Sequence, residues 1–258
     1  EDEFRKAKYL VSLLSPERAT NYHDWIKVGW ALHNVDKSLL PVWLEFSKQC
    51  PSKYKEKECR NLWQNMKGGL TIRSLQAWAK EDNIHEYNKY MKNEFEELLK
   101  KSLQGDTFTV AKALYTKYYD RFVCASIKHN SWYEFRGHRW YPVDGGYTLM
   151  NIISEEFVNE YLKVASDYNT AAISATGLEK EDLQKKASRF QRVSDKLLNL
   201  GFKENVMKEC RYQFYDESFE DKLDEQHFLL GCENGVYDLE KSEFRSGKPD
   251  DFITLSTK

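Results

Sequence analysis

Between residues 121 and 141 the chain reads RFVCASIKHNSWYEFRGHRWY, and four cations meet one acid there. Arg121, Lys128, Arg136 and Arg139 stand against Glu134, with His138 among the arginines and Trp132, Tyr133, Trp140 and Tyr141 interleaved. Such cations neutralise phosphate, and aromatic faces stack on unpaired bases for about 1–3 kcal/mol per base. The combination suits single-stranded nucleic acid. The competing reading is a meander of strands whose aromatics pack inward and whose arginines are merely solvated, and residue type alone slightly favours it.

A second basic set lies in residues 179–211, where nine bases face six acids, a balance of +3. Lys185, Arg189 and Arg192 fall at i, i+4 and i+7, so a helix puts them on one face. Charge runs of this kind are most often solvated surface, and contact with nucleic acid or an acidic neighbour is the sharper alternative. Residues 216–258 hold twelve acids and five bases, −7, which disfavours nucleic acid there and suits a basic neighbour.

Catalytic groupings are missing from these 258 residues. There is no GxxxxGK[ST] phosphate loop, and Ser246-Gly247-Lys248 runs straight into Pro249. No GxGxxG, HExxH or GxSxG occurs, nor a pair of aspartates at alternating strand positions for two-metal chemistry. His138 has no carboxylate or nucleophile close by in sequence. The five cysteines, Cys50, Cys59, Cys124, Cys210 and Cys232, include no CxxC pair. They read as reduced, buried thiols of an intracellular protein rather than zinc ligands. No catalytic residue, metal ligand or cofactor-binding residue is expected in the chain.

The elements that position these residues follow from periodicity. Residues 4–100 read as short helices carrying tryptophans at helical spacing. Trp25, Val28, Gly29 and Leu32 recur behind Asn21 as N-cap, and Pro41 opens a helix that aligns Trp43 with Phe46. Cys59, Trp63 and Met66 form a stripe, Gly68-Gly69 breaks the chain, and Thr71 caps a helix with Ile72, Leu75 and Trp78 in phase. Aromatics spaced in this way are usually core. A charged connector helix spans 86–104, and Gly105-Asp106 marks the domain boundary.

The second region opens with a helix from Thr107 whose Phe108, Ala111, Leu114 and Tyr115 point inward. Three strands follow, RFVCASI, SWYEF and RWYPV, turning at Asn130 and at Arg136-Gly137-His138, with Asp144-Gly145-Gly146 closing the meander. A long helix carries Ile152, Ile153, Phe157, Tyr161 and Val164, then the loop NTAAISATG (169–177) leads to a helix over 180–200. A third helix covers 201–214 and a short fourth the acidic SFEDKLDEQ. FLLGCENGVYDLEKSEFRSG closes with another small meander, turning at Asn234-Gly235 and at 240–243. The predicted architecture is mainly α with α+β character: an all-α domain over 1–104, then a helical domain over 105–258 with a small antiparallel meander. Hydrophobic content of 41% supports a real core, a net charge of −2 offers no global attraction for nucleic acid, and no apolar run nears the roughly 20 residues that span a bilayer. The opening EDEFRKAKYL does not read as a secretory signal.

These residues also carry a resemblance. WIKVGWALHN, LPVWLEFSKQ and YKEKECRNLWQNMKGGLTIRSLQAWAK resemble the primase C-terminal type-2 domain, with Trp25, Gly29, Leu32, Trp43, Ser47, Cys59, Trp63, Thr71, Leu75 and Ala79 at the family's positions. RFVCASIKHNSWYEFRGHRWYPVDGG and LLGCENGVYDLEKSEFRSGKPDDFIT are similar to the accessory region before the motor in poxvirus-type helicase-primases of large DNA viruses. That resemblance implies a replicative DNA helicase with primase activity, whose superfamily-three AAA+ motor binds ATP and Mg outside residues 1–258. It implies single-stranded or forked DNA and other replication proteins as partners, a ring (hexameric in the full-length protein), no membrane, and a viral replication site inside the host cytoplasm or nucleus. The candidate DNA-binding residues are Arg121, Lys128, Arg136, His138, Arg139, Trp140, Lys185, Arg189 and Arg192.

Three function classes follow. The first is a non-catalytic linker and collar joining primase to helicase and contacting DNA. The second is a protein-interaction module that docks replication factors without touching DNA, and the third is an independent enzyme, which the missing motifs disfavour.

Overall fold

The computed structural model describes residues 2–66 and 69–257 and divides them into two compact units, 1–92 and 93–258. Gly68, half of the expected break, lies outside the described residues.

The first unit is all helical: α1 (Asp2–Ser12), α2 (Pro16–Thr20), α3 (Tyr22–Val35), α4 (Leu40–Ser47), α5 (Glu56–Gln64), α6 (Ile72–Asp82) and the first half of α7 (Ile84–Lys101). Local chemistry sets the boundaries. The Asn21 side chain accepts from the His23 and Asp24 amides, and Pro41 occupies the first turn of α4. Thr71 and Ser74 form a capping box on α6. Leu10, Val28, Leu32, Trp43 and Leu75 are fully buried. Trp25, Trp43 and Trp63 stack in series with centroid separations of 4.8 and 5.6 Å. The Trp25 indole N–H donates to Ser47 Oγ (2.7 Å), which donates to the Trp43 carbonyl (2.7 Å). Arg18 grips Asp82 with Nε and Nη2 at 2.6 and 2.8 Å, tying α2 to the end of α6.

The second unit begins in the later half of α7 and continues through α8 (Thr107–Tyr118) into β1 (Phe122–Ser126), β2 (Ser131–Arg136) and β3 (Arg139–Asp144), an antiparallel sheet in that order. Then come α9 (Tyr147–Ile152), a five-residue π turn (Ile153–Phe157), α10 (Val158–Ser174), α11 (Gly177–Leu197), α12 (Leu200–Gln213) and α13 (Phe219–Lys222). A second antiparallel sheet closes the chain with β4 (Leu229–Cys232), β5 (Gly235–Asp238) and β6 (Glu243–Arg245).

Both faces of the first sheet are covered. Phe122, Cys124, Trp132 and Val143 join the helical core with Leu114, Phe157, Tyr161, Phe190 and Phe214. Val123 and Trp140 pack the other way, against Phe219 and Phe252 from the segment after α12. That segment is stitched to the sheet through its backbone. The Cys124 amide donates to the Phe214 carbonyl (3.0 Å), the Asp216 amide to the Cys124 carbonyl (3.1 Å), and the Trp140 amide to the Ile253 carbonyl (2.7 Å). In the second sheet Cys232 pairs with Gly235 across a two-residue loop, and Asp238 accepts from the Glu240 and Lys241 amides at the next turn.

Three details differ from the sequence reading. Phe108 is 47% exposed, beneath the Lys112 ammonium, rather than in the core. The expected loop 169–177 is mostly helix, because its alanines extend α10 to Ser174 and only Ala175–Thr176 connect to α11. The expected single long helix contains the π turn, while its expected stripe of Ile152, Ile153, Phe157 and Tyr161 is buried. Among the described residues no helix is long and apolar enough to cross a membrane.

Gly29 sets the approach of α4 to α3. A Cβ there would lie 2.5 Å from Met66 Cε and 2.7 Å from Trp43 Cε2. Gly29→Ala is therefore expected to destabilise the first unit by about 1–3 kcal/mol; urea unfolding followed by tryptophan fluorescence checks it.

Candidate nucleic-acid interface

The β2–β3 register sets Glu134 opposite Tyr141 and Arg136 opposite Arg139, so all four side chains leave the same face of the sheet. Glu134 is only 2% exposed, and Arg121 and Arg136 clasp it from both sides. Its Oε1 accepts from Arg121 Nε (3.0 Å) and Nη2 (2.8 Å), and its Oε2 from Arg136 Nε (2.8 Å) and Nη2 (2.7 Å). Burial pushes the Glu134 carboxyl up, but the hydrogen bonds from Arg136 and Arg121 outweigh it and hold the group below its usual range. Arg139 lies over the Tyr141 ring at 4.9 Å and donates to the Tyr141 hydroxyl.

One carboxylate between two guanidinium groups leaves this end of the sheet with a net positive charge, increased by Arg139. Arg121 and Arg136 remain 40% and 45% exposed, so they can hold Glu134 and still present N–H groups outward.

The other residues of the expected patch are not part of this cluster. Lys128 sits in the exposed β1–β2 turn, at the opposite end of β2 from the Arg136–Arg139 pair. His138 is a clasp: its Nδ1 accepts the Gly247 amide at 3.0 Å. Trp140 is 3% exposed and its indole N–H donates to the Pro249 carbonyl (2.8 Å), so its ring is not available to stack on a base. Trp132 is likewise buried, at 1%.

On α11 the spacing holds. Lys185, Arg189 and Arg192 are exposed and line one shallow groove with Glu181, Gln184 and Ser188. Asp182 is engaged by Lys186 at 2.7 Å, and among the described residues Lys185, Arg189 and Arg192 form no salt bridge. Gln184 and Ser188 were missed by a search for cations. The helical repeat 181, 184/185, 188, 192 was the signal that places them on the same stripe.

Glu134 stability has a defined pH dependence. Because its folded pKa is depressed, its stabilisation is present above the unfolded carboxyl value of about 4.3 and is lost as pH falls through the lower folded value. Glu134→Gln is expected to lower stability by about 1–3 kcal/mol at neutral pH and to remove this component of acid destabilisation. Denaturant unfolding of both proteins between neutral and acid pH measures it.

Two families match the chain in order. The Primase C terminal 2 (PriCT-2) family matches residues 7–79, and the D5 N terminal like family matches residues 111–258, more than half of the chain. The chain is 42% identical over 266 residues to a protein of Acanthamoeba polyphaga mimivirus provisionally named a helicase, covering 100% of this chain and 27% of that protein. It is 26% identical to a provisionally named helicase of Frog virus 3 (isolate Goorha), covering 95% of this chain and 28% of the relative. It is also 26% identical to a provisionally named primase of African swine fever virus, covering 91% of this chain and 27% of the relative. The chain thus spans less than a third of the length of these relatives. A PriCT-2 segment followed by this longer match, on two separate units that divide at 92/93, leads to one assignment: the chain belongs to the D5 N terminal like family.

Proposed function

We propose that the chain is the non-catalytic central region of a viral replicative DNA helicase-primase. In this reading it links a primase to an ATP-dependent, Mg-requiring ring helicase and contacts DNA on the way. The observation that carries the DNA contact is the exposed stripe of Lys185, Arg189 and Arg192 on α11, outside any salt bridge among the described residues. Arg139 and the positive rim around Glu134 form a second, smaller contact. The acidic segment 216–258, at −7, is the surface for a basic neighbour, either another subunit of the ring or another replication protein. The work is done at the replication site inside an infected cell.

A second reading, a docking module without DNA contact, is favoured by one observation. Leu230, Tyr237 and Phe244 pair in a row across β4–β6, and Leu230 and Phe244 are 43% and 49% exposed. Salt dependence separates the two readings, since phosphate contacts release counterions and apolar docking does not.

Charge reversal is the direct test. Lys185→Glu, Arg189→Glu and Arg192→Glu together are expected to weaken single-stranded DNA binding and to reduce the slope of log affinity against log salt by about 2, near 0.7 per lost contact. Fluorescence anisotropy over a salt series reads both. Unchanged affinity at low salt overturns the α11 contact. Arg139→Glu probes the sheet rim without uncovering Glu134, which Arg136→Glu would do.

A further inference from the structure

The β2–β3 hairpin ends on a pairing that works against folding. Arg136 and Arg139 are directly opposed in the register, and like charges in that position repel. The Glu134 carboxylate is shared between Arg121 and Arg136, so it does not offset both members of the pair. Arg139 turns to the Tyr141 ring and hydroxyl instead of to a carboxylate. An anion set between Arg136 and Arg139 would relieve the repulsion.

The donors for such an anion are already ordered. Arg136 directs Nε and Nη2 at Glu134, which is buried, while its own side chain stays 45% exposed. A guanidinium has five N–H groups, so the edge that Glu134 does not use is left for another acceptor. A planar fork held in one orientation suits the paired oxygens of a phosphate.

An aromatic surface stands beside this pair. Tyr147 opens α9 directly after Gly146 and is 56% exposed. It lies close enough to Arg136 to favour the charged guanidinium, a smaller effect than that of Glu134. Among the described residues its ring makes no stacking or cation–π contact, since the two arginines lie over Tyr141, at 5.6 and 4.9 Å. The aromatics that the sequence puts forward are engaged elsewhere: Trp132 and Trp140 are buried, and Tyr133 packs on Phe219. Tyr147 is the ring that this end of the sheet offers to a ligand.

We infer that Arg136 and Arg139 hold one phosphate of single-stranded DNA while Tyr147 stacks on the adjoining base. This rests on the DNA-contact reading above and gives the two contacts different selectivity. The α11 groove is lined by cations, Glu181, Gln184 and Ser188 without a ring, so it neutralises phosphate on a duplex or a single strand alike. Bases in a duplex are already paired and stacked, and their faces are closed to Tyr147. The rim therefore selects the single strand.

The test uses the whole chain and three labelled probes of equal length: a single-stranded oligodeoxynucleotide, the matching duplex, and an abasic strand. Fluorescence anisotropy at low salt reads all three. Tyr147→Ala is expected to weaken binding of the normal strand about tenfold and to change duplex and abasic binding by less than about twofold. Tyr147→Trp is expected to keep or tighten single-strand binding, which a merely structural tyrosine would not allow. Arg139→Glu is expected to weaken the normal and abasic strands together. Equal losses on all three probes with Tyr147→Ala, or no loss on any, overturn the inference, as does an abasic strand that binds as tightly as the normal one. If the α11 charge reversal weakens binding while Tyr147→Ala does not, the DNA contact stands and the role of Tyr147 falls. If the unaltered chain binds none of the probes, both fall.

Discussion

A three-stranded sheet with apolar residues on both faces cannot stand alone in water, and the second unit is arranged around that demand. Helices α8, α10 and α12 seal the side of Phe122, Cys124 and Trp132, while the chain after α12 must return to seal the side of Val123 and Trp140. The return is held by backbone hydrogen bonds at Cys124 and Trp140 as well as by side-chain packing. Its acidic composition thereby lies on the side of the sheet away from the helical core, and the arginines keep the rim.

Within this frame Glu134 does two jobs. A carboxylate at 2% exposure is tolerable only because four guanidinium N–H groups meet it. In return it fixes the side chains of Arg121 and Arg136, which otherwise lose substantial rotamer freedom when ordered at a surface. The positive rim is thus pre-arranged, and an anion arriving there meets cations already in position.

Much of this was legible in the residues. Caps and breaks at Asn21, Pro41, Thr71 and Asp106 act through immediate neighbours, and the alternation in RFVCASI, SWYEF and RWYPV encodes both the strands and their burial. The i, i+4, i+7 spacing on α11 placed its cations correctly for the same reason. What escaped depends on the chain meeting itself at long range. Trp140 looks like a stacking platform until Phe219 and Pro249 close over it, and His138 looks chemical until the Gly247 amide, 109 residues away, claims its nitrogen.

The π turn at Ile153–Phe157 carries a less obvious implication. It adds one residue to the turn, so that Ile153 and Phe157 are both fully buried and Tyr161 reaches the Ser102 hydroxyl at 2.6 Å. Deleting a single residue there would let the segment wind as ordinary helix and leave the turns on either side in register, whereas a deletion from a regular turn of α10 would rotate everything downstream by about 100°. Homologous chains should therefore gain or lose a residue at this turn more readily than anywhere else along the helix.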